Sequence, residues 1–236
     1  PYLISEGMGR EEDVSPSHTA KPSWFFIAKP VVSHPYLERY KRNNLAYILK
    51  HTPERLKEID EESLSEAIVM AMLTGQEDGK PDNFMFQSIP EKPGKFRIVS
   101  IDNDQAFVPE VSRPSLTSRQ KGKQSCVQVK SVLFCLDQMT GPIYPSVVEV
   151  LVYLNPEKLL SHWLKKLLIF SKKHKKLFTQ SQMADFWKKN ETYIDIPFQR
   201  GDIQDVYFKL MKMQDLLKLK PTLTHLELLK EVLPFV

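Results

Sequence analysis

An aspartate and an asparagine five positions apart stand in a short turn-forming stretch of this 236-residue chain. Asp78 opens the stretch, Lys80 lies two residues later and Asn83 closes it. In phosphoryl transfer, an Asp at this spacing orients the attacking hydroxyl and the Asn holds a magnesium ion. A second metal-binding carboxylate is then expected further along the chain, where Asp102 follows an apolar segment. The residue types and their spacing therefore predict phosphoryl-transfer chemistry.

The same residue types also build ordinary surface turns, so the short match on its own could carry no function. The flanking elements favour the functional interpretation. Residues 61–73 begin with acidic side chains and place Leu64, Ile68 and Met72 on one face, which predicts a buried helix that ends just before the loop. Apolar segments at 84–86 and 96–101 flank turn residues at 90–95, which predicts a β-hairpin after the loop.

Both motifs resemble those of known kinases. Residues 78–86 read DGKPDNFMF and look like the D-x-K-P-x-N motif that precedes three apolar residues in protein kinases. Residues 101–107 read IDNDQAF and are closer to the metal-binding motif of type II phosphatidylinositol 4-kinases. The combination resembles the atypical branch of the superfamily, which includes phosphatidylinositol 3/4-kinase-like and actin-fragmin kinase-like enzymes. The resemblance covers about residues 23–107.

This resemblance implies a kinase-like C-terminal lobe and a role for each motif residue. Asp78 would accept or orient the proton of the substrate hydroxyl, and Lys80 would reach the transferred phosphoryl group. Asn83 and Asp102 would hold magnesium, and Asp104 would be an additional metal contact. The implied cofactors are ATP and Mg²⁺, and the implied substrate is a hydroxyl-bearing protein or inositol lipid.

Departures from the pattern disfavour a typical protein kinase. Gln76 and Glu77 stand where protein kinases have His and Arg, so the arginine that reads an activation-loop phosphate is missing. Asn103 and Asp104 replace the Phe-Gly pair after the metal-binding Asp, and no Ala-Pro-Glu motif follows. An atypical kinase remains the favoured interpretation.

The segment that contacts the nucleotide is predicted near residues 24–31. Residues 24–27 are an apolar segment that fits the last strand of a small lobe, followed by a hinge. A hinge offers backbone N–H and C=O groups to an adenine ring, so Ile27, Lys29 and Val31 are the expected ATP contacts. The alternative makes residues 7–9 a glycine-rich loop and Lys29 the phosphate-binding lysine. The short distance from Lys29 to Asp78 along the chain favours the hinge over that arrangement.

The domain organisation follows from these assignments. Residues 1–30 are expected to be the end of the small lobe with the hinge, and residues 31–236 the helical C-terminal lobe. Within that lobe lie the catalytic loop at 76–86, the metal-binding Asp102, an activation-like loop at 108–127 and a helical remainder at 128–236. Because the chain begins at Pro1, we expect most of the small lobe to lie upstream and this segment alone to be inactive.

Basic residues concentrate in two segments. The loop at 108–127 is either solvated with no specific partner or attracts an anionic substrate through Arg113, Arg119, Lys121 and Lys123. The second segment, 165–176, is the lysine-rich end of a helix predicted to start at Asn155. It is either a solvated helix end or a site of attachment to an acidic membrane surface.

The lysine-rich helix has a second, apolar face that is expected to pack inward. That face comprises Leu159, Leu160, Trp163, Leu164, Leu167 and Leu168. Further helices are expected at about 145–153, 182–190, 202–219 and 223–232, while the apolar run 129–139 fits either a strand or a helix start. The fold class expected is α+β, mostly helical, with a small β-hairpin that carries metal-binding residues.

Composition bounds the remaining possibilities. Two cysteines are too few for a disulfide framework or a zinc site, which favours an intracellular, cytoplasmic protein that is peripheral to membranes if it contacts them. The net charge is only +4, and the aromatic residues do not alternate with the basic ones, so nucleic acid is not expected as a partner. The predicted function is ATP- and Mg²⁺-dependent phosphotransfer. The alternatives are a pseudokinase that serves as a binding module and a kinase-fold enzyme with another transfer reaction, such as adenylylation.

Overall fold

The computed structural model describes residues 42–101, 106–111, 126–176, 179, 181 and 200–236. These residues form six α-helices and one two-stranded antiparallel sheet. The elements in chain order are α1 (Leu45–His51), α2 (Glu61–Thr74), β1 (Phe84–Ser88), β2 (Phe96–Ser100), α3 (Pro145–Tyr153), α4 (Pro156–Lys175), α5 (Arg200–Leu219) and α6 (His225–Val232). Short 3₁₀ turns lie at Pro53–Glu58, Pro81–Asn83, Val132–Cys135 and Asp137–Thr140. The mostly helical α+β class is confirmed.

Helix α2 lies at the centre of the described core and leads into the candidate site. Its N-terminus is capped by the Asp60 carboxylate, which accepts a hydrogen bond from the Ser63 N–H at 3.2 Å. Ile68 and Met72 are fully buried, as the spacing of apolar residues predicts. The helix ends at Gly75, which adopts the left-handed conformation with φ 54°. The predicted helix before the loop is therefore confirmed.

The predicted hairpin is also confirmed. Strands β1 and β2 pair antiparallel, with Phe84 opposite Ser100 and Phe86 opposite Ile98. The turn between them uses Gly94 with φ 79°, a conformation that suits glycine because it has no Cβ. This register places Phe84, the residue after the 3₁₀ turn Pro81–Asn83, beside the last residue of β2.

Helices α3, α5 and α6 complete the core around α2. Leu151 of α3, Met213 of α5 and Leu228 of α6 are fully buried in one cluster with the α2 side chains. The buried Gln214 amide donates to the Leu151 carbonyl at 2.8 Å and so ties α5 to the end of α3. The predicted helices at 145–153, 202–219 and 223–232 are confirmed to within a few residues.

Two predictions in this region need correction. The apolar run 129–139 is neither a strand nor a helix start, because it folds into two 3₁₀ turns. The Ser131 hydroxyl caps the first of them by accepting a hydrogen bond from the Leu133 N–H. The apolar face of α4 is buried only near its start: Leu160 is buried, whereas Leu168 is 45% exposed. Leu168 follows Leu160 by eight residues in α4, which places it about 12 Å further along the helix axis than the buried Leu160. The predicted helix at 182–190 lies outside the described residues.

None of the helices described is long and apolar enough to cross a lipid bilayer.

Candidate functional site

The loop between α2 and β1 is held at both ends by backbone hydrogen bonds. The left-handed Gly75 ends α2, and its N–H donates to the Ala71 carbonyl at 3.0 Å. At the other end, the Asn83 N–H donates to the Lys80 carbonyl at 3.0 Å within the 3₁₀ turn Pro81–Asn83. Proline at the start of this turn fixes its backbone φ. The two ends of the loop are thus set by short-range contacts.

The segment 130–132 packs directly against the middle of this loop. The Gly79 N–H donates to the Lys130 carbonyl at 3.1 Å, and the Val132 N–H donates to the Gly79 carbonyl at 2.7 Å. A Cβ at position 79 would lie 2.3 Å from the Lys130 oxygen and 2.7 Å from the Ser131 Cα. The two backbones approach so closely that only glycine fits between Asp78 and Lys80.

Three of the predicted site residues meet in this loop. The Lys80 ammonium donates to the Asp78 carboxylate, with Nζ 2.8 Å from Oδ2. The Asn83 amide donates to the Asp78 carbonyl at 2.6 Å and lies 3.3 Å from the same carboxylate oxygen. Asn83 is buried, while the Asp78 side chain is 34% exposed. The arrangement fixes Asp78 from two sides and leaves its carboxylate accessible.

The charge state of Asp78 follows from these contacts. The hydrogen bond from Lys80 is the main cause that holds the pKa of Asp78 below its ordinary value, and the Asn83 amide acts in the same direction, while partial desolvation opposes them. Asp78 is therefore an anion at neutral pH. An exposed anionic carboxylate can accept a hydrogen bond from a substrate hydroxyl.

Strand β2 returns the chain to the same loop. The Ile101 N–H donates to the Asn83 carbonyl at 2.9 Å, and Asp102 is the next residue in the chain. Beyond residues 102–105, the Phe107 N–H donates to the Thr74 carbonyl and the Val108 N–H donates to the Gly75 carbonyl at 3.2 Å. The residues on both sides of 102–105 are thus bonded to the two ends of the loop between α2 and β1.

Lys209 of α5 is a residue of this region that sequence reasoning missed. Its side chain is buried, pairs with the Asp205 carboxylate at 2.6 Å, and places Nζ 3.5 Å from where a Cβ of Gly75 would be. A cation beside the C-terminal end of α2 interacts favourably with the helix dipole. The spacing of apolar residues in α5 indicates that Lys209 lies on the buried face. Lys209 is three residues after Val206 and four before Met213, both of which are buried.

A second pair of reactive residue types lies elsewhere in the core. The Ser65 hydroxyl is 2.8 Å from Nε2 of His225, and Nδ1 of His225 is 3.1 Å from the Gly141 carbonyl. The carbonyl can only accept, so Nδ1 carries a proton, and in the neutral ring Nε2 then accepts from the Ser65 hydroxyl. Both side chains are fully buried. Burial is the main cause that lowers the pKa of His225. The pair joins α2 to α6 and is closed to substrates.

The structure brings together Asp78, Lys80 and Asn83, whereas the other predicted site residues lie outside the described ranges. Those residues are Ile27, Lys29, Val31, Asp102 and Asp104, together with most of the activation-like loop. Within the described ranges, no group of three or more His, Cys, Asp or Glu side chains is placed to hold a metal ion. No family model, curated protein or solved structure matches the chain.

Proposed function

We propose that this chain carries the catalytic loop of an ATP- and Mg²⁺-dependent phosphotransferase of the atypical, lipid-kinase-like type. The observation that carries the proposal is the convergence of Asp78, Lys80 and Asn83 within hydrogen-bond distance. The bond from Ile101 to Asn83 adds to it, since it brings the residue before Asp102 to the same loop. The acceptor is a hydroxyl of a protein or of an inositol lipid, and the donor is ATP.

The oxygen atoms of the loop suit a magnesium ion. Asn83 faces the backbone carbonyl oxygen and a carboxylate oxygen of Asp78, and both can only accept hydrogen bonds. The atom of the Asn83 amide that points toward them is therefore the donor Nδ2. The amide oxygen is then the free end of the group, and amide and carboxylate oxygens are the ligands that Mg²⁺ prefers. Asn83 and Asp102 would hold the ion, with Asp104 as an additional contact. When bound, Mg²⁺ neutralises the charge of the nucleotide phosphates.

Asp78 and Lys80 act on the acceptor and on the transferred group. The Asp78 carboxylate orients the acceptor hydroxyl and takes its proton as the oxygen attacks the terminal phosphorus of ATP. The bond from that phosphorus to the bridging oxygen breaks, and ADP leaves. Lys80 offers a cation to the phosphoryl oxygens, because its exposed ammonium is two residues from Asp78 and already next to its carboxylate. Ile27, Lys29 and Val31 are the proposed contacts of the adenine.

Turnover of ATP by the full-length protein tests this proposal. Release of ADP with candidate protein and phosphoinositide acceptors is expected to require Mg²⁺ and to fall at least about a hundredfold in Asp102→Ala. Asp82→Asn is the matched control, since Asp82 is exposed in the same loop and has no proposed role. That variant is expected to keep wild-type turnover.

The alternatives give different results in the same experiment. A folded wild-type protein that binds ATP but releases no ADP would support a binding module in place of an enzyme. A product that gains AMP, detected by its mass, would replace phosphoryl transfer with adenylyl transfer. Equal turnover by the wild type and Asp102→Ala would contradict the assignment of the metal site.

A further inference from the structure

The second half of α4 exposes an isoleucine whose helical neighbours are all lysines. Residues three and four positions apart are adjacent on a helix surface. For Ile169 these neighbours are Lys165, Lys166, Lys172 and Lys173, and all four are exposed. Ile169 is itself 53% exposed. The four lysines and Ile169, with the adjoining exposed Leu168, are called the α4 surface below.

The α4 surface differs from the first half of the same helix. Leu160 is buried against the core and Trp163 packs on Phe107, with ring centroids 5.7 Å apart. The helix is therefore anchored at its start. Leu168 and Ile169 are two turns further on and leave a large part of their apolar area in contact with solvent.

The charge of α4 after its first residues has a single sign. Residues 158–176 contain seven lysines and no aspartate or glutamate. Within the part of the chain that the structure describes, no carboxylate pairs with the four lysines around Ile169. An exposed apolar side chain surrounded by such lysines matches the interface of an anionic lipid bilayer. The lysines correspond to the lipid phosphates and the apolar side chain to the acyl chains beneath them.

We propose that the α4 surface binds an anionic phospholipid bilayer. Ile169 and Leu168 enter the boundary between headgroups and acyl chains, while the lysine stems extend along the apolar layer and place their ammonium groups at the lipid phosphates. Each lysine near such a surface contributes about fivefold to the partition coefficient. Nucleic acid would engage the lysines but would give no role to the exposed Ile169. The proposal is independent of the proposed reaction.

Co-sedimentation of the 236-residue chain with vesicles tests this inference. Binding is expected with phosphatidylcholine mixed with phosphatidylserine, and not with phosphatidylcholine alone. Replacement of the four lysines by glutamate is expected to weaken binding at least about a hundredfold. The matched control replaces four exposed lysines elsewhere, Lys50, Lys57, Lys218 and Lys230, by glutamate. It makes the same change in net charge and is expected to weaken binding far less.

Ile169→Ser separates insertion from charge attraction. This variant keeps the net charge and changes an exposed side chain, and it is expected to weaken binding to the anionic vesicles about tenfold. Equal losses in the two quadruple variants would overturn the proposal. Unchanged binding of Ile169→Ser would overturn it as well, as would retention on heparin without binding to vesicles. Thermal melting followed by circular dichroism checks that each variant is folded.

Discussion

The Ile101 N–H donates a 2.9 Å hydrogen bond to the carbonyl of Asn83. This bond joins the residue that precedes Asp102 to the asparagine that closes the loop between α2 and β1, although the two are eighteen positions apart in the chain. It results from the register of the hairpin, in which Phe84 lies opposite Ser100. A turn and a strand end that are far apart in sequence therefore meet, as the proposed magnesium site requires.

The first prediction concerns the electrostatic role of Lys80. Lys80→Met removes the ammonium that is the main cause of the lowered pKa of Asp78, so that pKa is expected to rise toward its ordinary value of 3.8. Chemical shifts of the Asp78 carboxyl carbon, followed by NMR across a pH titration, measure this. Lys57→Met, at an exposed site away from the loop, is the control and is expected to leave the titration of Asp78 unchanged. No shift in Lys80→Met would mean that the ion pair does not form in solution.

The second prediction concerns the close approach at Gly79. A methyl group there would meet the backbone of Lys130 and Ser131 at 2.3 and 2.7 Å, so Gly79→Ala is expected to cost about 2–4 kcal/mol in the free energy of unfolding. Gly94→Ala is the comparison, because Gly94 has positive φ but open space around it. It is expected to cost about 1 kcal/mol. Urea denaturation measures both. Equal costs would show that the loop does not touch residues 130–131.

Local sequence patterns predicted the elements that form the candidate site. The apolar spacing in α2 and the turn residues between β1 and β2 are short-range signals, and both were read correctly. The order of helix, loop and hairpin then follows from the chain itself. Asp78, Lys80 and Asn83 meet because Pro81 starts a tight turn, which is also a local effect.

The features that were misread depend on long-range contacts. The run 129–139 is apolar enough for a strand or a helix, but the pairing of Gly79 with Ser131 fixes its start and two 3₁₀ turns follow. The position of Lys209 beside Gly75 depends on how α5 packs on α2. The buried face predicted for α4 extends too far along the helix. Periodicity shows which side of a helix is apolar, but it does not show how much of the helix length the core covers.

The third prediction concerns the pH dependence of stability through His225. Burial lowers the pKa of His225 in the folded state, so the unfolded state binds more protons once the pH falls below the ordinary value of 6.5. Neutral His225 contributes fully to the free energy of unfolding above pH 6.5. This contribution is lost as the pH falls below that value, by at most about 1.4 kcal/mol per pH unit.

Urea denaturation at a series of pH values from about 7.5 to 5 measures this loss. His225→Gln is expected to have a smaller pH slope than the wild type. His162→Gln, at an exposed site on α4, is the control and is expected to keep the wild-type slope. Identical slopes in all three proteins would contradict the account of His225 as a buried neutral base.

The most direct test of the proposed magnesium site is the Mg²⁺ dependence of ATP turnover by the full-length protein. Asn83→Ala is expected to raise the Mg²⁺ concentration for half-maximal turnover by about ten- to a hundredfold, because it removes a proposed oxygen ligand. Asp78→Asn is expected to lower turnover at saturating Mg²⁺ and to leave that concentration unchanged, because the proposed role of Asp78 is to act on the hydroxyl. Asp82→Asn should match the wild type in both. An unchanged Mg²⁺ dependence in Asn83→Ala would contradict the central claim.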